Sequence, residues 1–92
     1  MSKGISRQFT IVNKLGLHAR ASATLVRVAS QFSSEVFVAK DGQAVNGKSI
    51  LGMMTLAAAK GSTVTVTCDG TDQDKALAAI GEVIANRFGE AE

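Results

Sequence analysis

The chain's only histidine, His18, stands in the segment LGLHARASA, residues 15–23, with Arg20 two positions on. A helical pattern begins at about Ala19, so His18 falls at or near the capping position of that helix. The first amide N–H groups of a helix lack internal partners, and the helix dipole adds partial positive charge. Together they suit a phosphate-like anion. The same positive end favours an uncharged imidazole, which is a competent nucleophile. Arg20 adds planar donors for the same anion. Residue chemistry alone leaves two readings open: a functional nucleophile beside an anion-binding place, or a structural or passive surface histidine.

Other chemistries find little material. One histidine and one cysteine, far apart in sequence, make no recognisable zinc site. No Asp or Glu neighbours His18 along the chain, so a Ser-His-Asp arrangement is not suggested, although a distant carboxylate could approach in space. Gly16 stands alone, without a Walker-type loop around it. No metal or cofactor is expected.

The elements that must position these groups follow from periodicity. RQFTIVN, 7–13, alternates as a strand, with Phe9 and Ile11 on one face. After the turn KLGL, a helix is expected from about Ala19 to Phe32, with Leu25, Val28, Ala29 and Phe32 facing the core. EVFVAK, 35–40, reads as a second strand, Asp41-Gly42 as a two-residue hairpin turn, and QAVN, 43–46, as the returning third strand. Ser49 is a natural N-cap for a short helix from Ile50 to Met54, with Gly52 limiting its length. STVTVTC, 62–68, places Val64, Val66 and Cys68 on one face. A last helix opens with Thr71 and Asp74 as a capping box, carries Leu77, Ile80, Ile84 and Phe88 on its apolar stripe, and ends at Gly89 after Arg87. The order is β-α-β-β-α-β-α, an α+β fold with an antiparallel sheet and its helices on one face.

Composition bounds the rest. The 92 residues, 46% of them apolar, predict one small soluble domain spanning 1–92. The longest uncharged stretch, Ser49 to Ala59, is too short to cross a bilayer, and MSKGISRQFT lacks the apolar run of a signal peptide. A lone cysteine fits a reducing cytoplasm. The net charge of +2 hides an asymmetry: Lys3, Arg7, Lys14, Arg20 and Arg27 precede residue 35, where the acids begin. That basic third suits an anionic ligand or an acidic protein surface, or is simply solvated. A ferredoxin-like nucleic-acid-binding module fits the element order, but four aromatic residues and no dense basic run argue against it.

Two separated motifs carry a family resemblance. NKLGLHARASATLV closely resembles the active-site segment of the HPr family, the histidine-containing phosphocarriers of the bacterial sugar phosphotransferase system. VNGKSILGMMTLAAAKGSTVTVTCDGTDQDKAL resembles the remainder, including the family's regulatory-serine region. The likeness runs from about residue 7 to 88.

The resemblance implies an open-faced two-layer sandwich: a four-stranded antiparallel sheet in order 1-4-2-3 under three helices. It implies that His18 is the residue phosphorylated, at Nδ1, and that Arg20 interacts with the phosphoryl group. Ser49 corresponds to the serine modified by HPr kinase/phosphorylase. Ile50, Leu51 and Met54 correspond to the apolar partner-binding surface, with Ala19 beside them and Arg27 at its edge. The expected partners are enzyme I, as donor, and IIA components of sugar permeases or regulatory relatives, as acceptors. The implied protein is a monomeric cytoplasmic carrier rather than an enzyme; a nitrogen-branch carrier, uncoupled from sugar import, would use the same residues. Many family members have proline where this chain has Ala21, which restores a backbone N–H in the helix's first turn. The short helix at Ile50 cannot bury every side, so Met53 and Leu56 are expected to point inward while Ile50, Leu51 and Met54 meet partners.

Overall fold

The computed structural model describes residues 4–92; Lys3, counted among the basic residues above, lies outside them. The strands are β1 (Ile5–Thr10), β2 (Glu35–Lys40), β3 (Gln43–Asn46) and β4 (Thr63–Asp69). The helices are α1 (Ala19–Ala29), α2 (Ile50–Thr55) and α3 (Gln73–Ala85), and a 3₁₀ turn follows at Arg87–Gly89. The four strands form one antiparallel sheet in order β1-β4-β2-β3. Both the element order and the strand order agree with expectation.

Alternation drives the sheet onto its helices. In β4, Val64, Val66 and Cys68 are buried, while the threonines between them lie on the other face. Their neighbours in β2 continue the same layer, with Val38 opposite Val66 and Val36 opposite Cys68. The hairpin joining β2 to β3 turns through Asp41 and Gly42, with φ of 51° and 83°. Two successive positive φ values match the twist of the flanking strands, which is why Asp-Gly serves there. Onto the buried face α1 contributes Ala21, Leu25 and Ala29, α2 contributes Met53, and α3 contributes Ala76, Leu77, Ile80 and Ile84. None of these helices is long and apolar enough to cross a membrane.

The boundaries depart from the sequence reading in ways that matter. The first strand ends at Thr10, leaving Ile11 buried in the connection beyond it. Helix α1 stops at Ala29, so Phe32 packs against the core from the following loop. No Thr71–Asp74 capping box forms: Asp72 is the residue before α3 and makes no side-chain cap bond. Its carboxylate instead accepts from the Ser33 and Ser34 amides, at 2.8 and 2.9 Å, and from Ser34 Oγ at 2.5 Å. A tie across the molecule has outcompeted a local cap. Helix α3 ends at Ala85, and Phe88 is buried from the next turn, where Arg87 and Phe88 both have φ of 56° and Gly89 has 79°.

Candidate functional site

The connection from β1 to α1 is shaped by Gly16. Its φ is 68°, and a side-chain carbon there would collide with the Ala58 carbonyl oxygen and Ala59 Cα. Glycine therefore answers both to conformation and to space. The next residue, Leu17, donates its amide to Ala58 O at 2.9 Å and is itself buried. The chain is pinned one residue before His18.

His18 is the N-cap of α1, with extended backbone geometry. Its carbonyl accepts the Ser22 amide at 2.8 Å, and its Nδ1 accepts from the Arg20 amide at 3.3 Å. The nitrogen lone pair thus faces the helix's unpaired donors, where an anion would also be held. Arg20 is exposed, and among the described residues no carboxylate forms an ion pair with its guanidinium. Its planar fork is open for an incoming group. Ala21, in place of the frequent proline, is fully buried in the first turn.

The absence of an acid beside His18 holds only along the sequence. In space Glu90 Oε2 lies 2.5 Å from His18 Nε2. Asn13, buried in the connecting loop, donates its Nδ2–H groups to Gly16 O at 2.8 Å and to Glu90 Oε1 at 3.0 Å. The Asn13 hydrogen bond, with those from His18 and the nearby positive groups, holds the Glu90 carboxyl below its ordinary 4.5. Since Nδ1 accepts and Nε2 faces a carboxylate, the neutral ring carries its proton on Nε2. Glu90 and Asn13 both escaped the sequence reading. The only signal was an acid placed just past a terminating glycine, which gives no direction in space.

His18, Arg20 and Glu90, together with Lys14, Leu15, Ala19 and Glu92, line an open depression at the start of α1. Leu15, 68% exposed, forms its apolar rim and was not singled out from sequence. On α2, Ser49 Oγ accepts the Gly52 amide at 3.0 Å, the expected N-cap. Ile50, Leu51 and Met54 face solvent, at 41, 77 and 40% exposure, whereas Met53 and Leu56 are buried. Arg27 is exposed in the last turn of α1. Cys68 is buried in the sheet, where desolvation pushes its thiol up and keeps it protonated. Among the described residues no group of His, Cys, Asp and Glu is placed to hold a metal ion.

Known proteins resemble this chain in sequence and fold over nearly its whole length. The family model described as PTS HPr component phosphorylation site matches residues 5–86. The phosphocarrier protein HPr of Cupriavidus necator is 53% identical over 88 residues, covering 96% of this chain and 99% of its own. The crystal structure of HPr-C-His from Thermoanaerobacter tengcongensis superposes with a TM-score of 0.91 at 41% identity, covering 96% of this chain and 99% of that one. An HPr dimer from the same organism superposes with a TM-score of 0.76 at 44% identity, over 89 and 94% of the two chains. Motif, fold and full-length similarity agree, and the chain belongs to the HPr family, the phosphocarriers of the phosphotransferase system.

Proposed function

We propose that His18 accepts a phosphoryl group from a phosphohistidine on enzyme I and hands it to the IIA component of a sugar permease. One observation carries this reading: Nδ1 of His18 faces the unpaired amides of α1, beside the open Arg20 guanidinium. The Nδ1 lone pair attacks phosphorus as the donor's P–N bond breaks, and that bond's electron pair stays with the donor imidazole. The α1 amides and Arg20 take up charge on the phosphoryl oxygens. The protein is consumed and regenerated as a stoichiometric carrier, and each transfer is reversible because these contacts tune the exchange without trapping its product.

Exposed Ile50, Leu51 and Met54, with Ala19 and Arg27, form the surface proposed to meet these partners, and Leu15 extends it to the edge of the histidine site. A phosphate on Ser49, added by HPr kinase/phosphorylase, would retain a place at a helix start while putting nearly two negative charges into that surface. The carrier is proposed to act as a monomer in the cytoplasm, as one domain over 1–92. Sedimentation distinguishes that state from the dimer known for a relative.

Incubation with labelled phosphoenolpyruvate, enzyme I and a panel of IIA proteins tests the scheme. Label is expected on His18, acid-labile and transferable, and absent from His18→Ala. Acid-labile label on the folded His18→Ala protein overturns the assignment. Transfer to regulatory IIA relatives alone would place the chain in a nitrogen branch instead.

A further inference from the structure

We infer that Glu90 is a positioning residue for phosphoryl transfer, fixing the His18 tautomer and countering the charge that develops on the ring. The inference rests on the proposed role of His18 and deepens it. Glu90 reaches the site through an unusual piece of backbone. After α3 ends at Ala85, Arg87, Phe88 and Gly89 all take left-handed φ values, a conformation that costs Arg and Phe steric strain. Burial of Phe88 holds that turn in place, and Glu90, two residues on, comes against His18. The segment is fastened further on, where the Lys14 amide donates to Glu92 O and Lys14 Nζ lies 3.2 Å from a Glu92 carboxylate oxygen.

The Glu90 carboxylate is oriented independently of the histidine. Its other oxygen takes a hydrogen bond from Asn13, whose second N–H is committed to Gly16 O in the loop that sets His18. One buried amide thus measures the spacing between the histidine loop and Glu90. The charged groups facing the ring are Glu90 from the C-terminal segment, Arg20 from α1 and the dipole of α1 itself. Among the described residues, Glu90 is the carboxylate bonded at the Nε2 edge, while Glu92 and Lys14 line the same depression.

The chemistry needs that edge. With the proton on Nε2, Nδ1 keeps an unprotonated pair, which turns from its long bond with the Arg20 amide to phosphorus. When the Nδ1–P bond forms, the ring keeps its Nε2–H and becomes cationic, and the adjacent carboxylate offsets that charge. On transfer onward the P–N pair returns to Nδ1, leaving the neutral ring with the same Nε2–H. No proton has to move in either half of the cycle. This is the division of labour of a carboxylate-backed histidine, reached here by a residue 72 positions away.

The test compares wild type with Glu90→Gln, Glu90→Ala and Glu90→Asp. Imidazole ¹⁵N resonances of the unphosphorylated proteins read the tautomer; enzyme I kinetics read transfer. Wild type is expected to hold its proton on Nε2. In Gln and Ala variants the Nδ1–H form should gain population, and kcat for transfer should fall on the order of tenfold or more with KM little changed. Asp should recover part of both. Unchanged backbone amide spectra exclude general unfolding. An unchanged tautomer, or a shifted tautomer with unchanged kcat, overturns the inference. Failure of the wild type to be labelled at His18 would instead defeat the carrier assignment, and the tautomer measurement separates these outcomes.

Discussion

Gly16 and Ala58 are in such close contact that no side chain fits between them, and this contact sets the position of His18. A methyl group on Gly16 would overlap the Ala58 carbonyl oxygen, the same oxygen that receives the Leu17 amide at 2.9 Å. Gly16→Ala must also adopt a φ of 68° with a side chain present. The expected loss of stability is at least about 1 kcal/mol from conformation alone, with more from the collision. Urea unfolding measures it. Because His18 follows two residues later, the rate of labelling by enzyme I should fall as well in the fraction that remains folded. A variant as stable and as reactive as wild type would show that the loop tolerates a different path.

Much of this site was legible in the sequence for local reasons. A histidine before a helical period, a serine before a short apolar run and an Asp-Gly pair between alternating segments each act on neighbours within four residues. The helix cap at His18, the cap at Ser49 and the β2–β3 turn all formed accordingly. What sequence could not disclose depends on closure of the fold. Asp72 abandoned a local cap for Ser33 and Ser34, 39 and 38 residues earlier, and Glu90 met His18 only because Arg87 and Phe88 turn the chain back. No periodicity encodes such a contact. The end of α3 was misplaced for a related reason: Phe88 fits the apolar stripe in spacing but is buried from a left-handed turn.

Asp72 gives the fold a pH dependence whose sign is fixed. Hydrogen bonds from Ser34 and Ser33 hold its carboxyl below its ordinary 3.8. A folded-state value below the unfolded one contributes stability above the unfolded value and loses it as pH falls through the folded value. Wild type should therefore weaken from about pH 5 downward. Asp72→Asn cannot accept all three bonds and should be less stable at neutral pH, with the gap from wild type closing in acid. Denaturant midpoints across this range check the prediction. A gap independent of pH would mean that the carboxylate's charge is not what ties Ser34 to α3.

Ser49 offers a way to separate capping from regulation. Ser49→Ala removes the acceptor for the Gly52 amide and should cost about 1 kcal/mol. Ser49→Asp keeps an acceptor at the cap and adds negative charge near the helix start, so its stability should stay near that of wild type. Its phosphorylation by enzyme I should nevertheless be slower, with the loss shrinking as salt screens the added charge. Equal rates for wild type and Ser49→Asp would leave Ser49 as a cap alone.

Neighbouring positions on α2 should respond oppositely to truncation. Met53 is fully buried against the sheet, and Met53→Ala is expected to cost about 2–5 kcal/mol through lost burial and a cavity. Leu51, two residues earlier, is 77% exposed and covers almost nothing in the free protein. Leu51→Ala should change stability by no more than about 0.5 kcal/mol. If this face receives enzyme I, Leu51→Ala should raise KM for phosphorylation while leaving kcat nearly intact, because the side chain is remote from the reacting atoms. Leu51→Glu, which adds charge where an apolar contact is expected, should raise KM further. A KM unchanged in both Leu51 variants would move the docking surface away from α2, toward Leu15 and the open depression around His18.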